Sequence, residues 1–227
     1  MPPAIAPAGT PGIPETSPTG ELLRAENLHL WRGDRHILRG VSFAVGGGEC
    51  LQITGLNGAG KTSLLRMLSG LMYPEEGKVL WRGQSIRADL QGFHSDLAYI
   101  GHEPPLKADF TARENLRCWI GIRWAVSDAE VDQALERVGA HGWSDRPIRT
   151  LSAGQKRRVA LAGLVLMMST PLWLIDEPTT NLDREGQQMV GALIEEHLGQ
   201  GGLVVAAIHH ELAVRATALR RLELARE

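Results

Sequence analysis

An apolar run, Leu51-Gln52-Ile53-Thr54, leads directly into Gly55-Leu56-Asn57-Gly58-Ala59-Gly60-Lys61-Thr62, and a helix is predicted from Lys61 to about Ser69. A glycine loop set between a buried strand and a helix constrains the fold more than any other feature of this chain. The glycines let the backbone curl until successive N–H groups converge on one anion, and the helix dipole behind them favours the same charge. Lys61 is suited to reach β- and γ-phosphate oxygens as a point charge, and the Thr62 hydroxyl to bind Mg²⁺. Residues Gly55 to Ser63 are therefore the expected cradle for ATP.

A second segment supplies the complementary chemistry. Leu172-Trp173-Leu174-Ile175 reads as a short buried parallel strand, and Asp176 and Glu177 emerge at its end. Asp176 is placed to hold Mg²⁺ through its water shell, and Glu177 to orient and deprotonate the attacking water. A strand ending in Asp-Glu is commonplace alone. It gains meaning from the phosphate loop before it and from Pro178-Thr179-Thr180-Asn181-Leu182-Asp183 after it.

About twenty residues upstream, Leu151-Ser152-Ala153-Gly154-Gln155 opens a long apolar helix. Two readings stand side by side. Ser152 is an ordinary N-cap, or this small-residue helix tip caps the γ-phosphate of an ATP held by a second copy of the chain. One ATP does not need two such surfaces from a single polypeptide.

Composition limits the alternatives. The 24 basic and 26 acidic residues nearly balance, unlike the strongly basic domains that bind nucleic acid, so no nucleic-acid partner is expected. Cys50 and Cys118 are far apart and are expected to be buried, reduced thiols. Residues 1–20 are rich in Pro, Ala, Gly and Thr without apolar periodicity, and are expected to be a disordered lead-in rather than a secretory signal. The uncharged stretch 159–175 is nearly long enough for a membrane span, but Ser169-Thr170-Pro171 divides it into a buried helix, a turn and a strand.

The remaining pattern alternates strands with helices. Strands are expected near Leu22–Leu30, His36–Val45, Glu49–Thr54, Lys78–Trp81, Leu97–Ile100 and Leu203–Ile208. Helices are expected after caps at Thr111 and Ser127, with Glu130 completing a capping box at the latter, and from about Asp183 to Leu198. That order defines an α/β chain with a mainly parallel sheet and ligands at the carboxyl ends of its strands.

Together the phosphate loop, LSAGQ, the strand ending in Asp176-Glu177, the Asn181-Leu182-Asp183 turn and a late His209 resemble the ABC-transporter ATPases over about residues 22 to 221. The resemblance implies a P-loop NTPase of the ABC-ATPase fold over residues 21–227, with an antiparallel β subdomain and a helical subdomain at about 104–150. It implies a homodimer on ATP binding, in which Ser152, Gly154 and Gln155 face the other copy's nucleotide. Asp183 then matches the turn that communicates between the two sites, and His209 the switch histidine at the γ-phosphate. His210 is its polar neighbour, and adjacent strand residues point to opposite faces, so the two do not form a metal site. An aromatic residue stacks on adenine in this family; Trp31 is the candidate, and a hairpin-edge Trp is the alternative.

Departures from the family narrow the subfamily. His102, in Gly101-His102-Glu103-Pro104, stands where the family carries a Mg²⁺-sensing Gln and is by that likeness a candidate at the metal with Thr62 and Asp176; Ala153 stands where Gly is commoner, and Gly163 where a basic residue is frequent. YIGHEPPLKADFTARENL and LSAGQKRRVALA look like the ATP-binding subunits of cytochrome c maturation haem exporters. That likeness implies separate integral-membrane subunits and a peripheral position on the cytoplasmic face of the bacterial inner membrane. An ATPase subunit of a lipid or drug exporter is the alternative within the family, and a soluble non-transport ABC ATPase the alternative outside it.

Overall fold

The computed structural model describes residues 20–209, 212, 214 and 219–224. The expectations for residues 1–19 and for His210 lie outside the described residues.

Alternation of apolar and polar side chains builds the first layer. Strands β1 (Glu21–Arg32) and β2 (Arg35–Gly46) pair antiparallel around Gly33, whose φ of 56° suits a glycine turn. β4 (Glu76–Trp81) pairs with the other edge of β1, and the short β5 (Gln84–Ser85) completes the order β2-β1-β4-β5. Leu23, Ala25, Leu28 and Leu30 of β1 point inward and are buried.

The central layer is parallel. β3 (Cys50–Gly55), β6 (Leu97–Ile100), β7 (Leu172–Asp176), β8 (Leu203–Ala207) and β9 (Leu219–Leu224) lie in the order β6-β7-β8-β3-β9. Both faces are covered, so β8 is apolar throughout and β7 is apolar up to Asp176. Leu51, Ile53, Leu172, Leu174, Leu203, Val205 and Ala207 pack on one face with α1 (Lys61–Leu68) and the antiparallel sheet. Cys50, Trp173, Ile175, Val204 and Ala206 pack on the other, against α3 (Ala112–Gly121), α4 (Asp128–Arg137), α5 (Ala153–Leu166) and α6 (Arg184–Gly199). Burial raises the Cys50 thiol to about 12, in keeping with an inert core residue.

Register decides where the chemistry can sit. Ala207 of β8 is opposite Ile53 of β3 on one side and Asp176 of β7 on the other. The loops that leave β3, β7 and β8 therefore emerge together at one edge of the sheet.

The helices begin as their residues dictate. Thr111 and Ser127 each accept a hydrogen bond from the N–H three residues on, while Glu114 and Glu130 reach back to the cap N–H groups. The 159–175 stretch divides as expected: α5 ends at Leu166, a turn follows, and β7 starts at Leu172. No described helix is long and apolar enough to cross a membrane. Gly163 has a packing role, because a Cβ there would lie 2.2 Å from the indole of Trp119 on α3.

Among the described residues, three strands and helices were not expected from the sequence, besides two short 3-10 turns at His141–Trp143 and Ile148–Thr150. The three are β5, the six-residue helix α2 (Leu90–Ser95) capped by Asp89, and β9, which runs parallel to β3.

Candidate nucleotide site

The loop Gly55 to Gly60 joins β3 to α1 through three positive-φ glycines, Gly55, Gly58 and Gly60. Two of them are required by space as well. A Cβ on Gly55 would lie 2.6 Å from the Leu224 carbonyl oxygen, and one on Gly60 2.9 Å from Ile37 and Leu38. Leu56, Asn57 and Gly58 are exposed at the crest while Ala59 and Lys61 are buried beneath it. Gly60 is the N-cap of α1 and brings no side chain to cap it, so the helix mouth stays open to an anion. Lys61 folds back over the loop, donating from Nζ to the carbonyls of Gly55 at 2.8 Å and Leu56 at 3.3 Å.

Ser63 contributes differently from its neighbours. Its hydroxyl is buried and accepts a hydrogen bond from Nη2 of Arg32 at 3.2 Å, which ties the loop helix to the β1–β2 hairpin.

Asp176 ends β7 with 1 % of its surface exposed. Burial pushes its carboxyl above the usual carboxylate range, opposed by a hydrogen bond with Thr62. Its Oδ2 has no hydrogen-bond partner among the described residues. A buried carboxylate oxygen without a partner, beside a threonine hydroxyl at the mouth of a phosphate loop, fits a divalent cation held by oxygen ligands.

Glu177 adopts φ 51°, a left-handed conformation uncommon for a non-glycine residue, as the chain turns out of the strand. Its N–H donates to the Ala207 carbonyl at 2.9 Å. Its carboxylate meets three side chains: Thr180 Oγ1 donates at 2.9 Å, His209 Nε2 lies 2.7 Å from Oε1, and His102 Nδ1 lies 3.3 Å from Oε2. Partial burial raises its pKa, but Thr180 and the two imidazoles outweigh this and hold the group below its ordinary value. His209, from the end of β8, thus meets the residue after β7, as the strand register requires.

Arg157 is the functional-site residue that sequence reasoning missed. It sits on α5, is 3 % exposed, and directs its guanidinium at four backbone carbonyls: Gly101 at 3.1 Å, Pro178 at 3.3 Å, and Asp176 and Glu177 at 2.5 Å each. Burial lowers its pKa to about 10, although the Asp176 and Glu177 charges work the other way. The signal available was a run of basic residues, Lys156-Arg157-Arg158, leading into an apolar helix, where a buried cation demands partners. Its neighbour Arg158 donates to Asp183 Oδ1 at 3.0 Å and to the Val138 carbonyl, and Asp183 caps α6 through the Gly186 N–H.

The remaining predicted residues lie away from this cluster. Ser152 is the N-cap of α5 in a reciprocal capping box with Gln155, 3.2 Å from the Gln155 N–H, while Gln155 Oε1 accepts from the Ser152 N–H at 2.9 Å. Gly154 lies against the Asn181 turn, where a Cβ would be 2.5 Å from the Asn181 carbonyl oxygen. Trp31 is half-buried on the hairpin and stacks on His36 at 3.9 Å and 10°, with His29 also beside it.

A phosphate loop, a buried carboxylate with a free oxygen and a polarised Glu-His pair, gathered at the carboxyl edge of a parallel sheet, define a P-loop nucleoside triphosphatase. Residues 38–180 match the ABC transporter family model. The chain is 47% identical over 194 residues, 85% of its length and 93% of the relative's, to the cytochrome c biogenesis ATP-binding export protein CcmA of Methylococcus capsulatus. It is 44% identical to the protein of the same name from Yersinia pestis, over 90% of this chain and 93% of that one. Among solved structures it resembles cbiO1 from Clostridium perfringens, part of the ABC transporter complex cbiONQ, with a TM-score of 0.68 and 26% identity over 85% of this chain and 80% of that one. The chain belongs to the ABC transporter family of ATP-binding proteins, within its CcmA group.

Proposed function

We propose that this chain is the ATP-hydrolysing subunit of a haem exporter serving c-type cytochrome maturation. It works as an ATP-bound homodimer against separate integral-membrane subunits, at the cytoplasmic face of the inner membrane. The observation that carries this reading is the 47% identity across 93% of a cytochrome c biogenesis export protein. Residues 21–227 act as one ATPase domain, with residues 104–150 as its helical part.

In this reading the loop amides from Gly55 to Ser63 grip the phosphates, and Lys61 exchanges its two carbonyl partners for phosphate oxygens. Thr62 and Asp176 hold Mg²⁺, which when bound neutralises charge on the phosphates. Glu177 orients the attacking water and accepts its proton, and His209 bridges that carboxylate and the γ-phosphate. Trp31 offers its indole to adenine. Ser152, Gly154 and Gln155 of the second copy close the site, a reading supported by the exposure of Ser152 and Ala153 at the α5 tip.

The docking surface for the membrane subunits lies between the helical part and the parallel sheet. A cavity of about 300 Å³ there is lined by Leu71, Tyr99, Trp119 and Arg123, and Leu71 and Ile122 are exposed large apolar residues.

Affinity purification of the tagged chain from membranes tests this reading. The expected result is recovery of integral-membrane components of cytochrome c maturation, and loss of c-type cytochromes in cells whose only copy is Lys61→Ala. Recovery of a lipid-exporter membrane subunit, with c-type cytochromes intact, would overturn it.

A further inference from the structure

We propose that His102 is a positioning residue for Glu177, acting on the hydrolytic carboxylate and not on the magnesium ion. The proposal rests on the reading of Glu177 as the base.

Three observations meet at this contact. The first is the contact itself. His102 Nδ1 approaches Glu177 Oε2 at 3.3 Å while His209 Nε2 takes Oε1 at 2.7 Å, so an imidazole stands at each oxygen, one from the loop after β6 and one from the end of β8. Thr180 Oγ1 donates to Oε2 as well, so three side chains hold the carboxylate.

The second is that the two residues share a support. Arg157 Nη1 holds the carbonyl of Gly101, the residue immediately before His102, and Nη2 of the same guanidinium holds the carbonyls of Asp176 and Glu177. A buried planar cation with a fixed fork thereby sets the loop that carries the imidazole against the turn that carries the carboxylate. A residue held at φ 51° stays there only when its surroundings over-determine it, and these bonds do so.

The third is ligand chemistry. Mg²⁺ takes oxygen ligands in a strict octahedron, and imidazole nitrogen suits zinc, copper, nickel or iron instead. A glutamine at this position offers an amide oxygen to the cation, and a histidine offers none. Oxygen atoms suited to the cation are Asp176 Oδ2, which has no hydrogen-bond partner among the described residues, and the Thr62 hydroxyl. The carboxylate that the His102 imidazole meets is that of Glu177. His102 follows β6 by two residues, and that strand lines the cavity through Leu97 and Tyr99.

The test is the Mg²⁺ dependence of ATP turnover by the full chain carrying His102→Ala or His102→Asn, whose amide places a donor near the Nδ1 position. The expected result for H102A is a kcat about 10-fold lower, with the ATP KM and the Mg²⁺ half-saturation unchanged. H102N should recover most of the loss. A raised Mg²⁺ half-saturation in H102A, with turnover restored by excess Mg²⁺, would make His102 a metal ligand and overturn the proposal. Equal losses in H102A and H102N, or no loss in H102A, would overturn it too. Full turnover by E177Q is a separate outcome: it would remove Glu177 from the reaction, and the role of His102 with it.

Discussion

The phosphate loop and the tip of α5 are both helix N-termini built from small residues, yet the chain finishes them in opposite ways. At the loop, α1 has a glycine cap that supplies no side chain, Lys61 bonds to its own loop carbonyls, and Asp176 nearby keeps a buried oxygen without a partner among the described residues. At the α5 tip, Ser152 and Gln155 satisfy each other in a closed capping box, and both Ser152 and Ala153 are exposed. The first surface is organised to receive a ligand inside the chain. The second is stable as it stands and open to solvent, as a surface completed by another molecule must be. Arg157 joins them, since it lies two residues beyond Gln155 and holds the backbone of Asp176 and Glu177.

The largest effect expected on the loop side alone comes from Glu177→Gln. ATP binding should survive while turnover falls at least about 100-fold, and size-exclusion chromatography with ATP and Mg²⁺ should show a persistent dimer. A monomeric variant that still binds ATP would break the link between the two surfaces.

Arg157→Ala probes the joint between them. It strips charged donors from four carbonyls and should lower stability by about 2–4 kcal/mol in urea unfolding. Lysine cannot span four acceptors with one ammonium, so Arg157→Lys should recover only part of this. An Arg157→Ala chain of unchanged stability would mean that the α5 tip and the Asp-Glu turn are independent.

Gly163→Leu tests the packing of α5 without touching either surface. The side chain would have to displace the Trp119 indole, and a loss of about 1–3 kcal/mol is expected from overpacking. ATP affinity should stay the same, and a changed affinity would show that α5 position feeds back on the loop.

The smallest effect is expected from Trp31→Ala. Removing one stacking face of about 0.5–1.5 kcal/mol should raise the ATP KM by roughly 2- to 10-fold and leave kcat alone. A lowered kcat with unchanged KM would return Trp31 to its role beside His36 on the hairpin.

The contrast also explains what the sequence made legible. The loop, β7 and β8 were readable because a fully buried parallel strand is a plain apolar run and its functional residues follow at its end. The caps at Thr111 and Ser127 were readable because a capping box is local. β9 was not, because Leu219 to Leu224 lies at the sheet edge with charged residues between apolar ones, and its pairing with β3 spans most of the chain. α2 is a single short turn fixed by Asp89 and by the burial of Phe93. Arg157 escaped notice because its partners are backbone carbonyls on Gly101, Asp176, Glu177 and Pro178, and carbonyls carry no residue-type signal. Trp31 was legible as an aromatic near the end of the first strand, but its stack with His36 depends on hairpin register, which the sequence leaves open until the turn at Gly33 is placed.

The central claim is that one ATP is gripped by the loop of one copy and the α5 tip of another. Mixed dimers of Lys61→Ala and Ser152→Arg chains measure it directly. When the two lesions are on different copies, one shared site remains intact, and the mixture should regain ATP turnover that neither variant has alone. When both lesions are on one copy and the other is unaltered, each shared site carries one lesion, and that dimer should stay inactive. The reverse pattern, with no turnover in the first mixture and turnover in the second, would place the whole site within a single chain and contradict the account.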